Sequence, residues 1–453
     1  MIHARVSTPI LAAAVTAACL TPAQADDRPS VTFSKDIAPI FHEKCGTCHR
    51  PGGVAPMSLL DYKSSRPWAK SIRARVVART MPPWHAAPSA RPFKNDISLT
   101  DDEIDLIVSW VAGGSPQGDP ALLPDVPDYE ALARTGLPEP DLTLEYDGVW
   151  EVEPGVDEQR AFVIENTFEH DLWVKGVDYE QNSPAVHHMF LFTDPSGLGR
   201  QYQQEDERPG FLASVDGGAG TDKMMKIFFR GGGGIGGWAP GAQPLLYGED
   251  ICQRIPPGTD FLVQYHYFNQ SGETQIHTPK IGLYLHDSPP PRKLEYGGPS
   301  GDTPDLLIPA NDDNVETVRD WVAPEEIEIL ALMPHMHNLG KDMKLVAHYE
   351  DGTEETLLDV PRFDPYWQTV YEFEERVRIP KGTRLQMIAH HDNSAKNPLQ
   401  LNFPPKDVGF GERADDEMVS CITIYAKTEP EKHWDNADGA GAVITDPGEL
   451  AES

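Results

Sequence analysis

Two periodicities divide the chain. Before residue 118, apolar positions recur at helical spacing. Ile104, Ile107, Val108 and Val111 form one stripe, opened by the capping box Thr100-Asp101-Asp102-Glu103 and closed by Gly113-Gly114. Ser34 is expected to cap a short helix running into residues 45–49. From residue 141, short runs rich in Val, Ile, Phe and Tyr alternate with Gly, Pro and Asp turns: Arg160–Ile164, Phe261–Phe268, Ile281–Leu285, Met343–Tyr349, Thr383–Ala389 and Val419–Tyr425. This pattern predicts a small all-α domain over 28–118, a proline-rich linker over 119–140, and two all-β sandwich, jelly-roll-like domains over 141–290 and 291–430. The split between the sandwiches falls near Ser288-Pro289-Pro290-Pro291, and 431–453 reads as an acidic flexible tail.

Residues 1–25 read as an export signal peptide. Arg5 supplies the positive start, Ile10 to Leu20 the apolar run, and Ala23-Gln24-Ala25 the cleavage site. Lipidation at Cys19 is the rival, but Thr16-Ala17-Ala18 is a poor match to a lipobox. The expected address is periplasmic or secreted, and no later apolar run is long enough to predict a transmembrane span. The 42 Pro and 38 Gly among 453 residues favour short strands joined by turns. A net charge of −33 argues against a nucleic-acid partner. The acidity is uneven: residues 28–118 carry 12 Lys and Arg against 8 Asp and Glu, so a mildly basic segment precedes a strongly acidic body. Opposite fields of this kind can help two parts dock. The glycine run Gly231–Gly237 lacks a strand–G-x-G-x-x-G–helix context and reads as a flexible loop.

Cys45-Gly46-Thr47-Cys48-His49 is C-x-x-C-H, in which two thiols add to haem vinyl groups and the next residue brings an imidazole to the iron. One covalent haem c is therefore expected, held by Cys45, Cys48 and His49. Met81, in Arg79-Thr80-Met81-Pro82-Pro83-Trp84-His85, is the expected sixth ligand, with Met57 and His85 as alternatives. A small helical haem unit that closes on such a helix resembles a c-type cytochrome domain.

The acidic body carries histidines in an uneven pattern. His187 and His188 stand in Val186-His187-His188-Met189-Phe190, His266 in Gln264-Tyr265-His266-Tyr267, and His335 and His337 in Met333-Pro334-His335-Met336-His337. Residues two apart on a strand share a face, so His335 and His337 can share a metal. His187 and His188 are adjacent, and converge only at a strand end or bulge. Imidazole suits copper or zinc, and the thioether of Met418 in Asp415-Asp416-Glu417-Met418 favours Cu(I). Neither Cys252 nor Cys421 stands in a blue-copper loop, whether they pair is open, and His390-His391 reads as structural.

These motifs resemble the type II copper, ascorbate-dependent monooxygenases, the family of peptidylglycine α-hydroxylating and dopamine β-monooxygenases. The His187-His188-Met189 run, the Gly237-Trp238-Ala239-Pro240 loop with His266, the His335-x-His337-x-Leu339-Gly340-Lys341 run and Glu417-Met418 occur in the family's order. The resemblance implies two copper ions, one on His187, His188 and His266 that passes electrons, and a catalytic one on His335, His337 and Met418 that meets O2. Met333, Ser420 and Ile422 stand where the peptide-hydroxylating member has Arg, Asn and Tyr, which implies a different substrate. The expectation is an exported haem–copper monooxygenase that hydroxylates a C–H bond of a small organic substrate. An external redox protein or small reductant would supply electrons through the haem. The alternative is a non-catalytic periplasmic electron-transfer or copper-binding protein.

Overall fold

The computed structural model describes residues 31–431 except 52, 54, 90, 130–138, 180–182, 214–222, 229, 239–244, 270 and 412–414. The expected signal peptide, Cys19 and the tail beyond residue 431 lie outside the described residues, as does the side chain of His187. Among the described residues no helix is long and apolar enough to cross a membrane.

The chain is dominated by strands, with 38% of residues in strands and 15% in helices. Its principal strands are β1 (Leu142–Glu145), β2 (Asp157–Ile164), β3 (Leu172–Tyr179), β4 (Val186–Asp194), β5 (Gly233–Trp238), β6 (Ile251–Ile255), β7 (Asp260–Phe268) and β8 (Lys280–Leu285). They continue with β9 (Arg292–Gly297), β10 (Val315–Val322), β11 (Ile327–Met336), β12 (Gly340–His348), β13 (Glu354–Val360), β14 (Tyr371–Ile379), β15 (Arg384–His391) and β16 (Val419–Lys427). Each of the six apolar runs read from the sequence falls on one of these strands, with only Tyr349 and Thr383 one residue outside.

The expected small all-α cytochrome c domain followed by two separate all-β sandwiches is not what forms. One nine-stranded sheet runs β1-β8-β3-β6-β9-β16-β11-β14, with the short strand Leu245–Leu246 beside β3. It crosses the expected split at a parallel pair, where Arg292 and Lys293 of β9 lie beside Ile251 and Cys252 of β6. The halves therefore share backbone hydrogen bonds. Leu330, Ala331, Ile424 and Ala426 from the second half also belong to the core that holds Phe162, Met189 and Tyr265. Arg292 and Arg376 both pair with Asp250 at 2.8 Å across this seam. Two further sheets cover the long one. Phe211–Leu212, β2, β7, β4 and β5 form one, and β10, β15, β12 and β13 the other.

The helical segment is likewise not a separate domain. Its helices are short: α1 (Ala38–Lys44), α2 (Ala69–Val77) and α3 (Asp101–Ala112) are the longest before residue 118. Phe33, Phe41, Ile107 and Trp110 form a small apolar cluster between them. Between α2 and α3, however, the chain leaves this cluster and enters the β core. Ala86 and Phe93 are buried among Leu332, Met336 and Tyr371, and Phe93 forms an isolated bridge with Phe373. Arg91 pairs with Glu355 at 2.5 Å and Lys94 with Glu372 at 2.8 Å. The basic segment thus meets the acidic body through ion pairs laid around a buried aromatic anchor. The capping box at Thr100 and Glu103 forms as read, whereas Thr32, not Ser34, stands at the first helical N-terminus, with its N–H donating to Asp36.

The glycine run is a strand, not a loop. β5 pairs with β4, and Ile235 is buried. A Cβ at Gly237 would lie 2.5 Å from the Phe190 ring. Glycine there lets an aromatic side chain lie across the backbone.

Candidate functional site

Residues 45–49 form one helical turn beyond α1, with the Cys48 and His49 amides donating to Cys45 O. That turn brings the Cys45 and Cys48 thiols within electrostatic reach of each other. Both cysteines are free and half-buried, and burial pushes the Cys45 thiol up to about 12. The Nδ1 of His49 donates to Met57 O at 3.1 Å, which fixes the ring's orientation. Gly46 is required by a close approach: a Cβ there would stand 1.8 Å from the Tyr129 hydroxyl, which donates to His42 O. Tyr129 closes the proline-rich stretch over this turn, beside an open groove of about 420 Å³ lined by Pro39, His42, Thr47 and Pro127. Met57 packs partly buried against the same apolar cluster as Cys45, while Met81 is 43% exposed on the way into the β core. His85 is buried at the junction with the body, 4.0 Å from Asp364.

On the covering sheet of the first half, His266 of β7 and His188 of β4 are direct cross-strand partners, with ring centroids 4.8 Å apart. The next residue of β7, Tyr267, pairs with Val186, so the register skips His187. A bulge therefore falls at the histidine pair, the irregularity that two adjacent ligands need. The Nε2 of His266 bonds Asp157 Oδ1 at 2.7 Å.

The second constellation stands at the end of β11. His335 pairs with Ser420 and Met336 with Val419, the last pair of the ladder, so His337 and Met418 are the next residue beyond it on each strand. The ring centroids of His335 and His337 are 5.3 Å apart. Each Nδ1 is engaged: His335 with Gln368 Oε1 at 2.6 Å, and His337 with Asp416 O at 3.2 Å. Glu417, wholly buried, fastens the strand end. Its carboxylate accepts from the amides of His337, Leu339 and Met418. Burial pushes Glu417 up to about 8, against the opposing pull of these amides. Beside this end a shallow cleft is lined by Asn338, Gln400, Leu401 and Asp416.

Asp157, Gln368 and the clamping role of Glu417 escaped the sequence reading. Glu417 stood inside a quoted motif, and Asp157 is reached by register from β2. Gln368 lies in a loop with no periodic signal.

Among the described residues, no group of three or more His, Cys, Asp or Glu is arranged to hold a metal by those residue types alone. The second constellation relies on a thioether, and the first on a ring outside the described residues. His390 lies between Asp342 Oδ1 at 2.6 Å and Glu316 Oε2 at 3.5 Å on the outer sheet, and His391 is buried behind it. Cys252 and Cys421 are buried free thiols.

No protein-family model matches the chain, and no curated protein matches its sequence. Three solved structures it is similar to are distant. The major capsid protein of bacteriophage PM2 is 9% identical over 65% of this chain and 98% of the capsid protein, with a TM-score of 0.25. A subviral particle protein of infectious bursal disease virus is 8% identical over 65% and 74%, with a TM-score of 0.19. A Paenibacillus xanthan lyase is 9% identical over 68% and 28%, with a TM-score of 0.16. Likenesses this remote assign neither family nor activity.

Proposed function

We propose that the chain is an exported haem–copper monooxygenase that hydroxylates a C–H bond of a small organic substrate. The observation that carries this reading is the strand end at His337. The ladder ends at Met336 and Val419, which leaves His337 and Met418 just beyond it, and the Nδ1 atoms of His335 and His337 are both engaged, so Nε2 of His335 is the nitrogen a metal would take. Two imidazoles and a thioether suit copper that cycles through Cu(I). The paired rings of His188 and His266, with the bulge at His187, support a second copper. With Nε2 of His266 engaged by Asp157, Nδ1 would face that metal.

The turn at Cys45–His49 supports one covalent haem c. Cys45, Cys48 and His49 would hold it, with Met81 as the expected sixth ligand and Met57 and His85 as alternatives, and the Met57 carbonyl would fix the His49 ring through Nδ1. Copper here would supply one-electron steps and O2 activation, and haem would store and pass electrons from an external donor.

The chain's own residues do the positioning. Glu417 fixes the strand end, and Gln368 and Asp416 set the ring tautomers. Met333, Ser420 and Ile422 offer no carboxylate reader, so the substrate differs from a peptide C-terminus.

Copper-loaded full-length protein, supplied with a chemical reductant, should take up O2 in a substrate-dependent way across a panel of small organic compounds. Met418→Ala should abolish that uptake while the His188–His266 copper stays bound. Reversible haem and copper reduction without substrate-dependent uptake would leave the electron-carrier reading instead.

A further inference from the structure

The loop between β13 and β14 touches both the N-terminal segment and the second histidine site. Arg362 donates to the carbonyl oxygens of Ala78 and Arg79, just past α2. Asp364 lies 4.0 Å from His85, Trp84 packs edge-on against Tyr371 at 4.9 Å, and the Asn95 amide donates to Val370 O at 2.7 Å. These contacts hold both ends of the loop. From its middle, Gln368 reaches His335. The Gln368 Nε2 amide donates to Pro365 O at 3.2 Å, which fixes the side-chain amide so that Oε1 faces the ring. A carboxamide oxygen only accepts, so His335 must carry its proton on Nδ1. Loop conformation, amide orientation and ring tautomer are thereby linked in sequence.

We propose that Gln368 is a positioning residue, and that through the Arg362–Gln368 loop the N-terminal segment sets the tautomer and orientation of His335. The segment that carries C-x-x-C-H is then coupled to the His335–His337–Met418 site. The coupling to copper rests on the reading that this site holds the metal, but the coupling to the ring does not. Loss of the outer partner of a metal-bound histidine typically lowers affinity 10–100-fold. Perturbing the loop far from the ring should act in the same direction.

Two measurements on the full chain separate these ideas. In metal-free protein labelled with 15N-histidine, with the signal assigned by His335→Ala, His335 should show the Nδ1-protonated tautomer. Gln368→Leu and Arg362→Ala should both erode it, and Gln368→Glu, which keeps an acceptor, should retain it. An unchanged tautomer in Gln368→Leu and Arg362→Ala would overturn the proposal. In Cu(II) titrations, Gln368→Leu should weaken one of two coppers by about 10–100-fold and leave the other unchanged. Gln368→Glu should bind nearly as wild type. Wild-type affinity for both coppers in Gln368→Leu would also overturn the proposal. A wild-type chain that binds no copper at His335, yet whose tautomer responds to both substitutions, would remove the metal reading and leave the coupling standing.

Discussion

Phe93 and Phe373 pair across an isolated β-bridge, their rings 5.1 Å apart, and join the segment between two N-terminal helices to an edge strand of the long sheet. Phe93 is buried in the core of the second half. The helical segment and the β body are consequently one structure in this region.

Removing that anchor should cost the body its stability. Phe93→Ala leaves a cavity among Tyr371, Phe373 and Trp84, and large-to-small changes of this type cost about 3–5 kcal/mol. Denaturant unfolding followed by strand-region circular dichroism should show the loss, although the substitution lies before residue 118. A loss confined to the haem spectrum would mean that the segment unfolds independently.

The same burial argues about salt. Docking by Arg91 and Lys94 alone would be screened beyond about 8 Å at physiological ionic strength. The aromatic anchor is indifferent to salt. Electron transfer from the N-terminal segment to copper, followed by stopped-flow absorbance, should change little between low and high salt. A steep fall with salt would indicate transient docking.

Much of the local structure was legible in the sequence, because periodicity and turn chemistry are local signals. The capping box at Thr100, the six apolar runs and the shared face of His335 and His337 all follow from it. The need for a bulge at His187 and His188 was legible too, and the skipped register at His187 supplies one. What escaped was long-range. The parallel Arg292–Ile251 pair and the Phe93–Phe373 bridge depend on partners that no window of sequence contains. A helical pattern with a C-x-x-C-H therefore read as a self-contained domain. Gly231–Gly237 read as a loop because glycine is a turn residue by default, and only the Phe190 ring across it explains a strand. Gln368 was invisible because nothing in a loop's sequence marks which side chain will meet a ring.

The turn at Gly46 can be tested by overpacking. Gly46→Ala should displace Tyr129 and lower stability by about 1–3 kcal/mol. In a Tyr129→Ala background the same change should be nearly neutral, which a double-mutant cycle of thermal melts would show. Additive losses would mean that the turn, not the tyrosine, rejects the methyl group.

Two buried histidines should make the chain acid-sensitive. Burial lowers His277 from 6.5 to about 3 and His391 from 6.5 to about 4. The unfolded chain takes up a proton at each as pH falls through 6.5, and the native chain only far below. Stability should be full above about pH 7 and decline as pH falls toward 4, by about 2 kcal/mol per histidine at pH 5. Urea melts at pH 7 and pH 5 should show this loss, reduced in His277→Gln and His391→Phe. Equal losses in wild type and both variants would place the acid sensitivity elsewhere.

Counting haem and copper on the purified full-length protein tests the central claim most directly. The account predicts one haem that stays on the chain through denaturing electrophoresis and two copper ions per chain. His266→Ala and His335→Ala should each retain one copper, and the double variant none. A wild-type chain without copper, one whose copper survives the double substitution, or one whose haem is lost on denaturation with Cys45 and Cys48 intact would contradict it.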